Sequence, residues 1–420
     1  MNSKRSCAPS SWSDPDPKPP AEQALVPRAD TVRSVTPMKY EHDRTWAEIS
    51  LDNLDYNYRT LSDLVGPGCT VMAVIKGNFY GNGAITAARS LEEAGCRWMG
   101  LATIEEAMEL REKGITAEML LLGPICPEHT KIAIDNNLTI PMLDYAYARE
   151  ISKAARSVGK TVRAHMKVDT GMCRYGMMVS KNLAQCVDET MQIAALPGIE
   201  LTGVFTHFAS GGDPAEDAFT MGQLANYRAY AEALEARGLK LLRHCANSPV
   251  SLRFPEARYD MVRVGTLLCG FNPFGCGVEL KPVMQVRARI LSIKQLDPGD
   301  TIGYNRLFTC ERPTIVAIIP FGFVDGIHRS ASNRAQMLLH GKRVTLVGKI
   351  CMDLCFLDIT DVPEAKIGDV VTIFGEDSGV FLSPYEITAS YPGSAPELSA
   401  VIGTRVPRFY LRGGKIVARD

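Results

Sequence analysis

The stretch VMAVIKGNFYGNGA, Val71–Ala84, joins a strand-like apolar run to a turn. Five apolar residues lead into Lys76, and glycines stand at positions 77, 81 and 83 of the turn. An amphipathic segment, AITAARSLEEAG, comes next. A buried strand, a glycine-rich turn and a helix in this order are typical of a β/α unit. The lysine either extends into solvent or stands at the mouth of a site.

The same alternation of apolar run and amphipathic segment recurs from about residue 40 to about residue 280. Thr103, followed three residues later by Glu106, is the signature of a capping box at one helix start. Eight β/α repeats over about 240 residues favour a TIM (β/α)8 barrel, and a doubly wound open sheet is the alternative. The eight predicted strands are TVMAVI, RWMGLA, EMLLLG, TIPMLD, VRAHMKV, TGVFTHF, LLRHCAN and MVRVG.

The pattern changes after about residue 284. Segments such as TIVAIIPFGF and RVTLVGKICMDLCFLDI are strand-like and show little helical period. At the other end, the first 40 residues are rich in Pro, Ser and Asp and lack an apolar period. We therefore predict a disordered leader over residues 1–40, a cofactor-binding barrel over residues 41–284 and a mostly-β domain over residues 285–420.

The composition excludes several classes of partner. Hydrophobic residues make up 46% of the chain, charged residues 22%, and the formal net charge is -1, which gives no reason to expect nucleic acid or an anionic membrane. No segment approaches the roughly 18 consecutive apolar residues that a membrane-spanning helix needs. The 12 cysteines form no CxxC pair and have no zinc spacing. We expect free thiols, no metal and a cytoplasmic location.

Polar residues occupy the C-terminal ends of the predicted strands, where TIM barrels carry their functional groups. They are Lys76, then Lys167, Asp169 and Arg174, then His207, then Asn247 and Ser248, and finally Arg263 and Gly265. Barrels often bind phosphate in the last two of these loops, where Ser248 supplies a hydroxyl and Gly265 and Thr266 supply backbone N–H groups. Lys76 could form a Schiff base with an aldehyde cofactor held there. Together these residues suggest pyridoxal phosphate.

Each of these residues also has an ordinary structural explanation when taken alone. Lys76 could extend into solvent, His207 could be a satisfied core histidine, and Ser248 could cap the helix that comes after it. Tyr304 could be a packing residue of the β domain, and Lys167 a surface charge. The order of the motifs along the chain favours the functional interpretation.

Nine blocks of sequence carry a family resemblance. AVIKGNFYGNG is similar to a lysine motif usually written AVVKANAYGHG. The other blocks occur in the family's order: MKVDTGMCRYG, THFASGGD, HCANS, MVRVG, TIGYNRLF, PFGFVDGIHR, GKICMD and GTRVPR. Over about residues 40–412 the chain resembles the alanine racemases, which are fold-type III pyridoxal-phosphate enzymes. The resemblance implies interconversion of L- and D-alanine by two bases, in a role that supplies D-alanine or D-serine for cell-wall peptides.

The resemblance also implies roles for individual residues. Lys76 matches the cofactor lysine, which is one of the two bases. Tyr304 matches the second base, which the partner subunit of a homodimer contributes. Arg263 matches the arginine facing the pyridine nitrogen, and His207 the histidine near the Tyr304 hydroxyl. The other cofactor neighbours are matched by Tyr80, Asn247, Ser248, Gly265, Thr266 and Thr404.

On the substrate side, Arg174 matches a ligand of the substrate carboxylate. Met352 matches a residue whose backbone N–H meets that carboxylate across the dimer interface, and Tyr304 is also expected to contact the substrate. Lys167 matches the lysine that is carbamylated in many members, and a carbamate there would hold the guanidinium of Arg174. The implied partners are a small amino acid and a second copy of the chain with shared active sites.

Three positions depart from the family pattern. Asn82 stands in place of the histidine of the lysine motif, and Phe323 replaces a tyrosine that lines the entrance. Thr404 replaces a tyrosine over the phosphate and the substrate side chain. Because threonine is smaller and keeps a hydroxyl, we predict that serine or a larger amino acid is also a good substrate.

Two other functions remain open from the sequence. A fold-type III amino-acid decarboxylase shares the barrel, the lysine and the β domain, but the tyrosine of TIGYNRLF favours racemisation. A non-catalytic pyridoxal-phosphate carrier could be built from the barrel alone, and the long β domain argues against it.

Overall fold

The computed structural model describes residues 43–273, 275 and 277–420. The predicted leader, residues 1–40, lies outside these residues. The first described strand is β1 (Thr45–Ser50), and eight parallel strands of a barrel come after it. They are β2 (Thr70–Val74), β3 (Trp98–Leu101), β4 (Glu118–Leu121), β5 (Leu138–Met142), β6 (Val162–Asp169), β8 (Ile199–Phe205), β9 (Leu242–His244) and β10 (Met261–Val264), while the short β7 (Met177–Met178) pairs with β6.

The barrel strands neighbour one another in chain order from β2 to β9, and β10 pairs with β2. The ring closes between β9 and β10, where the Arg263 N–H donates to the Ala246 carbonyl at 2.9 Å. The Asp260 N–H donates to the Arg243 carbonyl there at 3.1 Å. All eight predicted strands are confirmed, and so is the TIM barrel. A doubly wound sheet would instead reverse its strand order at a switch point.

Helices separate the barrel strands, and side chains cap several of their N-termini. The Thr103 hydroxyl accepts from the Glu106 N–H, and the Glu106 carboxylate accepts from the Thr103 N–H, so the predicted capping box is confirmed. The helices of this part are α1 (Leu51–Val65), α2 (Lys76–Tyr80), α3 (Ala84–Glu93), α4 (Ile104–Glu112), α5 (Thr130–Asp135), α6 (Tyr145–Ser157), α7 (Leu183–Ala194), α8 (Asp217–Ala236) and α9 (Ser248–Arg253).

A mostly-β region comes after the barrel, as predicted. Its strands are β11 (Met284–Arg289), β12 (Ser292–Leu296), β13 (Thr301–Ile302), β14 (Phe308–Thr309), β15 (Thr314–Ile319), β16 (Gln336–Leu339), β17 (Lys342–Val347), β18 (Cys355–Asp358), β19 (Val370–Asp377), β20 (Val380–Leu382), β21 (Arg408–Arg412) and β22 (Lys415–Arg419). Two helices, α10 (Pro384–Thr388) and α11 (Ala395–Ala400), lie before β21. The main sheet has the order β12, β15, β18, β17, β16, β19, β11, β1, β21, β22, with β20 beside β19 and β13 paired with β14 separately.

Strand β1 belongs to this C-terminal sheet rather than to the barrel. It runs antiparallel to β11 and parallel to β21, so that Ile49 pairs with both Met284 and Tyr410. The predicted division places this strand with the barrel instead. One short strand pattern cannot show which sheet its backbone N–H and C=O groups complete, because its partners lie far along the chain.

Candidate active site

A cavity of about 520 Å³ opens at the C-terminal ends of the barrel strands. Ten predicted site residues line it: Lys76, Tyr80, Lys167, Arg174, His207, Asn247, Ser248, Arg263, Gly265 and Thr266. The other lining residues are Val74, Ala102, Leu122, Gly123, Tyr175, Phe205 and Pro249. Among the described residues, no aspartate or glutamate lines this cavity, although two lysines and two arginines do. The cavity therefore suits a ligand that carries negative charge.

Lys76 begins a left-handed turn, α2. The φ angles are 62° at Gly77, 50° at Asn78, and 52° at both Phe79 and Tyr80. Each non-glycine residue in this conformation costs roughly 1–2 kcal/mol. Such a turn persists only where its surroundings determine it, and backbone strain of this kind is concentrated at functional sites. The glycines in the sequence indicated a turn but not its hand.

Two parts of the chain hold this turn in place. The Gly77 N–H donates to Glu106 Oε1 at 2.7 Å, which ties the residue after Lys76 to helix α4. On the other side, a Cβ atom added to Gly81 would lie 2.0 Å from the Ser399 carbonyl oxygen, so α11 packs directly on the turn. The lysine is therefore positioned by both the barrel and the C-terminal region.

Burial lowers the pKa of both cavity lysines. For Lys76 the charge of Arg174 lowers the pKa further, whereas Glu106 opposes the shift. Lys167 is 3% exposed, and burial together with the charges of Arg263 and Arg174 lowers its pKa to about 7. An amine with a lowered pKa has a larger neutral fraction at physiological pH, in which form it is a base and a nucleophile.

Arg263 is buried at the base of the cavity and is held by backbone carbonyls. Its Nη1 donates to the His244 carbonyl at 2.7 Å, and its Nη2 donates to the carbonyls of Thr206 at 2.6 Å and Cys245 at 3.0 Å. Its Nη2 also lies 3.3 Å from His207 Nδ1. The Nε–H has no hydrogen-bond partner among the described residues. Burial lowers the pKa of Arg263 to about 10, so the side chain stays charged near neutral pH.

Burial favours the neutral form of the histidines around Arg263. Burial and the charges of Arg263 and Arg174 lower the pKa of His207 well below its usual value. His165 Nδ1 lies 2.9 Å from His244 Nε2, and burial lowers the pKa of both imidazoles. The positive charge of the cavity therefore comes from its lysines and arginines.

The loops after β9 and β10 form a polar cradle. Asn247 caps α9 by accepting from the Val250 N–H at 3.3 Å, so Ser248 is not the N-cap. The Ser248 hydroxyl instead accepts from the Gly265 N–H at 3.1 Å. A Cβ atom added to Gly265 would lie 2.4 Å from the Tyr80 hydroxyl, so only glycine lets that hydroxyl approach.

The loop after β6 presents Arg174 and Tyr175 at the cavity. The Asp169 carboxylate accepts from the N–H groups of Gly171 and Arg174, both at 2.8 Å, and so fixes the loop. The Arg174 side chain has no carboxylate partner in the part of the chain that the structure describes. Tyr175, which is not among the predicted site residues, is 42% exposed. Its position next to Arg174 in MKVDTGMCRYG was the available signal.

Three predicted site residues do not line this cavity in the single chain. Tyr304 and Met352 are 60% and 54% exposed, and Thr404 is also exposed. Tyr304 lies in a turn with positive φ at Gly303 (73°) and Asn305 (60°), which is a strained way to present an aromatic side chain to solvent.

The loops that carry Tyr304 and Met352 are neighbours. The Asn333 side chain donates to the Leu307 carbonyl at 3.2 Å and accepts from the Gly348 N–H at 2.5 Å, so it bridges the two loops. Both side chains are therefore presented by one connected part of the C-terminal region.

The ten cysteines that the structure describes are free. No helix in residues 43–273 or 277–420 is long and apolar enough to cross a membrane. Within the same residues, no group of three or more His, Cys, Asp and Glu side chains is arranged to hold a metal ion.

A TIM barrel with a lysine in a strained turn, a polar cradle and an excess of cations defines a class of enzymes that bind a phosphorylated aldehyde cofactor. Family models match residues 49–273 (alanine racemase, N-terminal domain) and residues 283–410 (alanine racemase, C-terminal domain). The chain belongs to the alanine racemase family.

Related sequences and solved structures support the same family assignment. The alanine racemase of Desulfovibrio desulfuricans is 38% identical over 370 residues, covering 87% of this chain and 98% of the relative. The structure of alanine racemase from Clostridium difficile superposes with a TM-score of 0.84 at 32% identity, covering 90% of this chain and 98% of that one. Alanine racemase from Bartonella henselae with covalently bound pyridoxal phosphate has a TM-score of 0.79 at 27% identity, covering 88% and 99%.

These findings confirm the predicted family and the predicted activity, that of a pyridoxal-phosphate-dependent alanine racemase, an isomerase. They favour racemisation over the decarboxylase and over a non-catalytic carrier. Assignments to single residues, the subunit arrangement and additional substrates remain predictions.

Proposed function

We propose that this protein interconverts L- and D-alanine, with Lys76 of one subunit and Tyr304 of its partner as the two bases. The observation that carries the proposal is that Lys76, Arg174 and the cradle of Ser248 and Gly265 share one cavity. Arg174, without a carboxylate partner of its own among the described residues, is suited to bind the carboxylate of an amino acid. The free thiols support the cytoplasmic location expected from the sequence.

The cavity residues fit pyridoxal phosphate. The phosphate would be held by the Ser248 hydroxyl, the Tyr80 hydroxyl, and the backbone and hydroxyl of Thr266. Because Gly265 has no side chain, the Tyr80 hydroxyl can approach its backbone closely, and closely spaced polar groups suit a compact anion. The unpaired Nε–H of Arg263 would donate to the ring nitrogen. When bound, the cofactor supplies an electron sink that makes the α-hydrogen of an amino acid acidic.

Racemisation requires one base on each face of the substrate carbon, and a positioned base contributes roughly two to four orders of magnitude in rate. The lowered pKa of Lys76 increases the fraction of neutral amine that can accept the proton. Return of a proton from the opposite face needs a second acid. Within the described residues, Tyr80 and Tyr175 are the tyrosines that line the cavity, and Tyr304 does not, so Tyr304 would have to come from a second copy.

A homodimer accounts for the exposed side chains of the C-terminal region. Tyr304 and Met352 are large, exposed and carried by loops that Asn333 bridges. Docking this face over the cavity of a second copy would place both residues at the substrate. A two-fold arrangement would then complete both active sites at once.

Lys167 is proposed to carry a carbamate. With a pKa of about 7, its amine is partly neutral near physiological pH and can add carbon dioxide while releasing one proton. The product would be an anion next to Arg174, replacing an unfavourable pair of cations with a favourable pair of opposite charges. Thr404 supports L-serine as a further substrate because it replaces a larger aromatic residue.

Solvent deuterium incorporation tests the activity. Purified protein with pyridoxal phosphate is incubated in deuterated buffer with L-alanine or L-serine, and loss of the α-proton signal is followed by NMR together with chiral chromatography. We expect exchange accompanied by the D-enantiomer for both amino acids. Release of carbon dioxide without the D-enantiomer would favour a decarboxylase, and no exchange with any amino acid would favour a carrier.

Subunit complementation tests the shared site. Lys76→Ala and Tyr304→Phe are each expected to be nearly inactive. If equal amounts of the two variants exchange subunits randomly, half of the dimers are mixed, and each mixed dimer has one intact site. Activity should therefore recover to about a quarter of the wild-type value. No recovery, with subunit exchange verified by mass spectrometry, would show that both bases come from one chain.

A further inference from the structure

We propose that Glu106 is a positioning residue that holds the Lys76 turn in its active geometry and places a negative charge next to that turn. The proposal rests on the function assigned to Lys76 above. It concerns a residue on helix α4 that does not line the cavity and that the sequence indicated only as part of a capping box.

The geometry shows a carboxylate shared between a helix cap and the lysine turn. Glu106 Oε1 accepts from the Gly77 N–H at 2.7 Å. Glu106 Oε2 accepts from the Ala102 N–H at 2.8 Å and from the Thr103 N–H at 3.4 Å. A capping box needs only the last of these contacts. The contact with Gly77 reaches across to the next residue after Lys76, at the point where the backbone enters its left-handed turn.

The hydrogen bond from the Gly77 N–H to Glu106 also helps to hold the strained backbone of the turn. The turn keeps Asn78, Phe79 and Tyr80 at φ near 50°, which is unfavourable for each of them. A hydrogen bond to a charged acceptor is stronger than a neutral one, so the carboxylate helps to hold the first peptide of the turn. Loss of the charge would allow the Lys76 backbone to relax and would move its amine.

The carboxylate also acts through its charge. The other charged groups that line the cavity are cations: Arg174 on the loop after β6, Lys167 on β6 and Arg263 on β10. The remaining titratable side chains there are His207, Tyr80 and Tyr175. Burial and Arg174 lower the pKa of Lys76, and Glu106 is the group that opposes them. Removing its charge should lower that pKa further, which increases the neutral fraction but weakens the amine as a base.

Three variants separate this role from simple helix capping. Glu106→Gln removes the charge while keeping one acceptor oxygen. Glu105→Gln is the matched control, because it makes the same charge change one residue earlier on the exposed side of the same turn. Thr103→Ala removes the hydroxyl that accepts from the Glu106 N–H at 3.3 Å, and so weakens the cap without touching the carboxylate.

Two readouts are measured for each variant. The pKa of the Lys76 amine is obtained from the pH dependence of its rate of acetylation in the full-length, cofactor-free chain, followed by peptide mass spectrometry. The pH profile of kcat/KM is measured on the loaded enzyme. For Glu106→Gln we expect an acid shift of the Lys76 titration and a loss of up to about a hundredfold in kcat/KM. Glu105→Gln and Thr103→Ala should leave the titration at its wild-type position.

The outcomes are distinct. If Glu106→Gln and Thr103→Ala both keep the wild-type Lys76 titration, Glu106 is only a cap and the proposal is wrong. An equal shift in Glu105→Gln would show a general effect of helix charge, which also overturns it. Failure of the proposed function would look different, because the wild-type protein itself would not racemise alanine.

Discussion

The Arg408 guanidinium Nε lies 3.1 Å from the Gly81 carbonyl oxygen and donates a hydrogen bond to it. A residue of the penultimate strand thus holds the end of the turn that begins at Lys76. Arg408 also donates to the carbonyls of Ile402 at 2.6 Å and Gly403 at 2.8 Å, so it joins the turn to the loop that contains Thr404. The geometry of the lysine depends on contacts more than 300 residues away in the sequence.

Arg408→Met should therefore destabilise the protein and loosen the lysine turn. The side chain is 5% exposed, and its loss leaves several buried carbonyls without a donor. We expect the free energy of unfolding to fall by about 2–4 kcal/mol in urea denaturation. Arg312→Met is the control, because the Arg312 side chain is exposed and pairs with the carboxylates of Asp358 and Asp361. Equal denaturation midpoints for the two variants would contradict the role given to Arg408.

Gly265→Ala should weaken cofactor binding. The added methyl group would meet the Tyr80 hydroxyl at 2.4 Å and displace it from the cradle. Overpacking of this kind costs roughly 1–3 kcal/mol, so we expect the Kd for pyridoxal phosphate to rise by about 10- to 100-fold in a fluorescence titration. Gly222→Ala is the matched control, because a Cβ atom at Gly222 on α8 meets no atom within 4 Å. Its Kd should equal that of the wild type.

The stability contribution of Lys167 should depend on pH. Its pKa falls from 10.5 to about 7 in the folded state, so between these values the unfolded chain binds more protons. Stability therefore rises with pH across this window, and the cost of the buried charge is fully present below about pH 7. The variant Lys167→Met lacks this cost. Its gain in unfolding free energy over the wild type should therefore be larger at about pH 6.5 than at about pH 9.5, by on the order of a few kcal/mol.

Denaturation of the cofactor-free chains in buffer depleted of carbon dioxide measures this difference without interference from a carbamate. Lys181→Met, at an exposed lysine, serves as the control and should show the same difference from the wild type at both pH values. If Lys167→Met behaves like Lys181→Met, the amine at position 167 is not buried as a cation.

Thr404→Tyr should narrow the choice of substrate. If Thr404 leaves room for a polar or longer side chain, restoring the larger residue should lower the ratio of kcat/KM for L-serine to that for L-alanine by about tenfold. Thr404→Val keeps the size and removes only the hydroxyl, so it separates volume from hydrogen bonding. A ratio unchanged in both variants would place the determinant elsewhere, and Tyr175 at the cavity would be the next position to test.

Much of this molecule was predictable from local pattern. Apolar runs and amphipathic segments report burial residue by residue, because strands and helices expose their faces with fixed periods. All eight barrel strands were predicted for that reason, and the strand-end rule of the barrel then brought Lys76, Ser248 and Arg263 to one cavity. The family resemblance added Tyr304 and Met352, which no local pattern marks.

Only the tertiary structure decided the remaining features. It showed that β1 completes the C-terminal sheet, that Tyr304 and Met352 do not line the cavity of their own chain, and that Tyr175 does. It also showed a left-handed turn after Lys76 that Glu106 and Arg408 hold. These features depend on hydrogen bonds and packing between residues far apart in the sequence. The period of a segment carries no information about such partners, because it reports how much of each residue is buried but not what covers it.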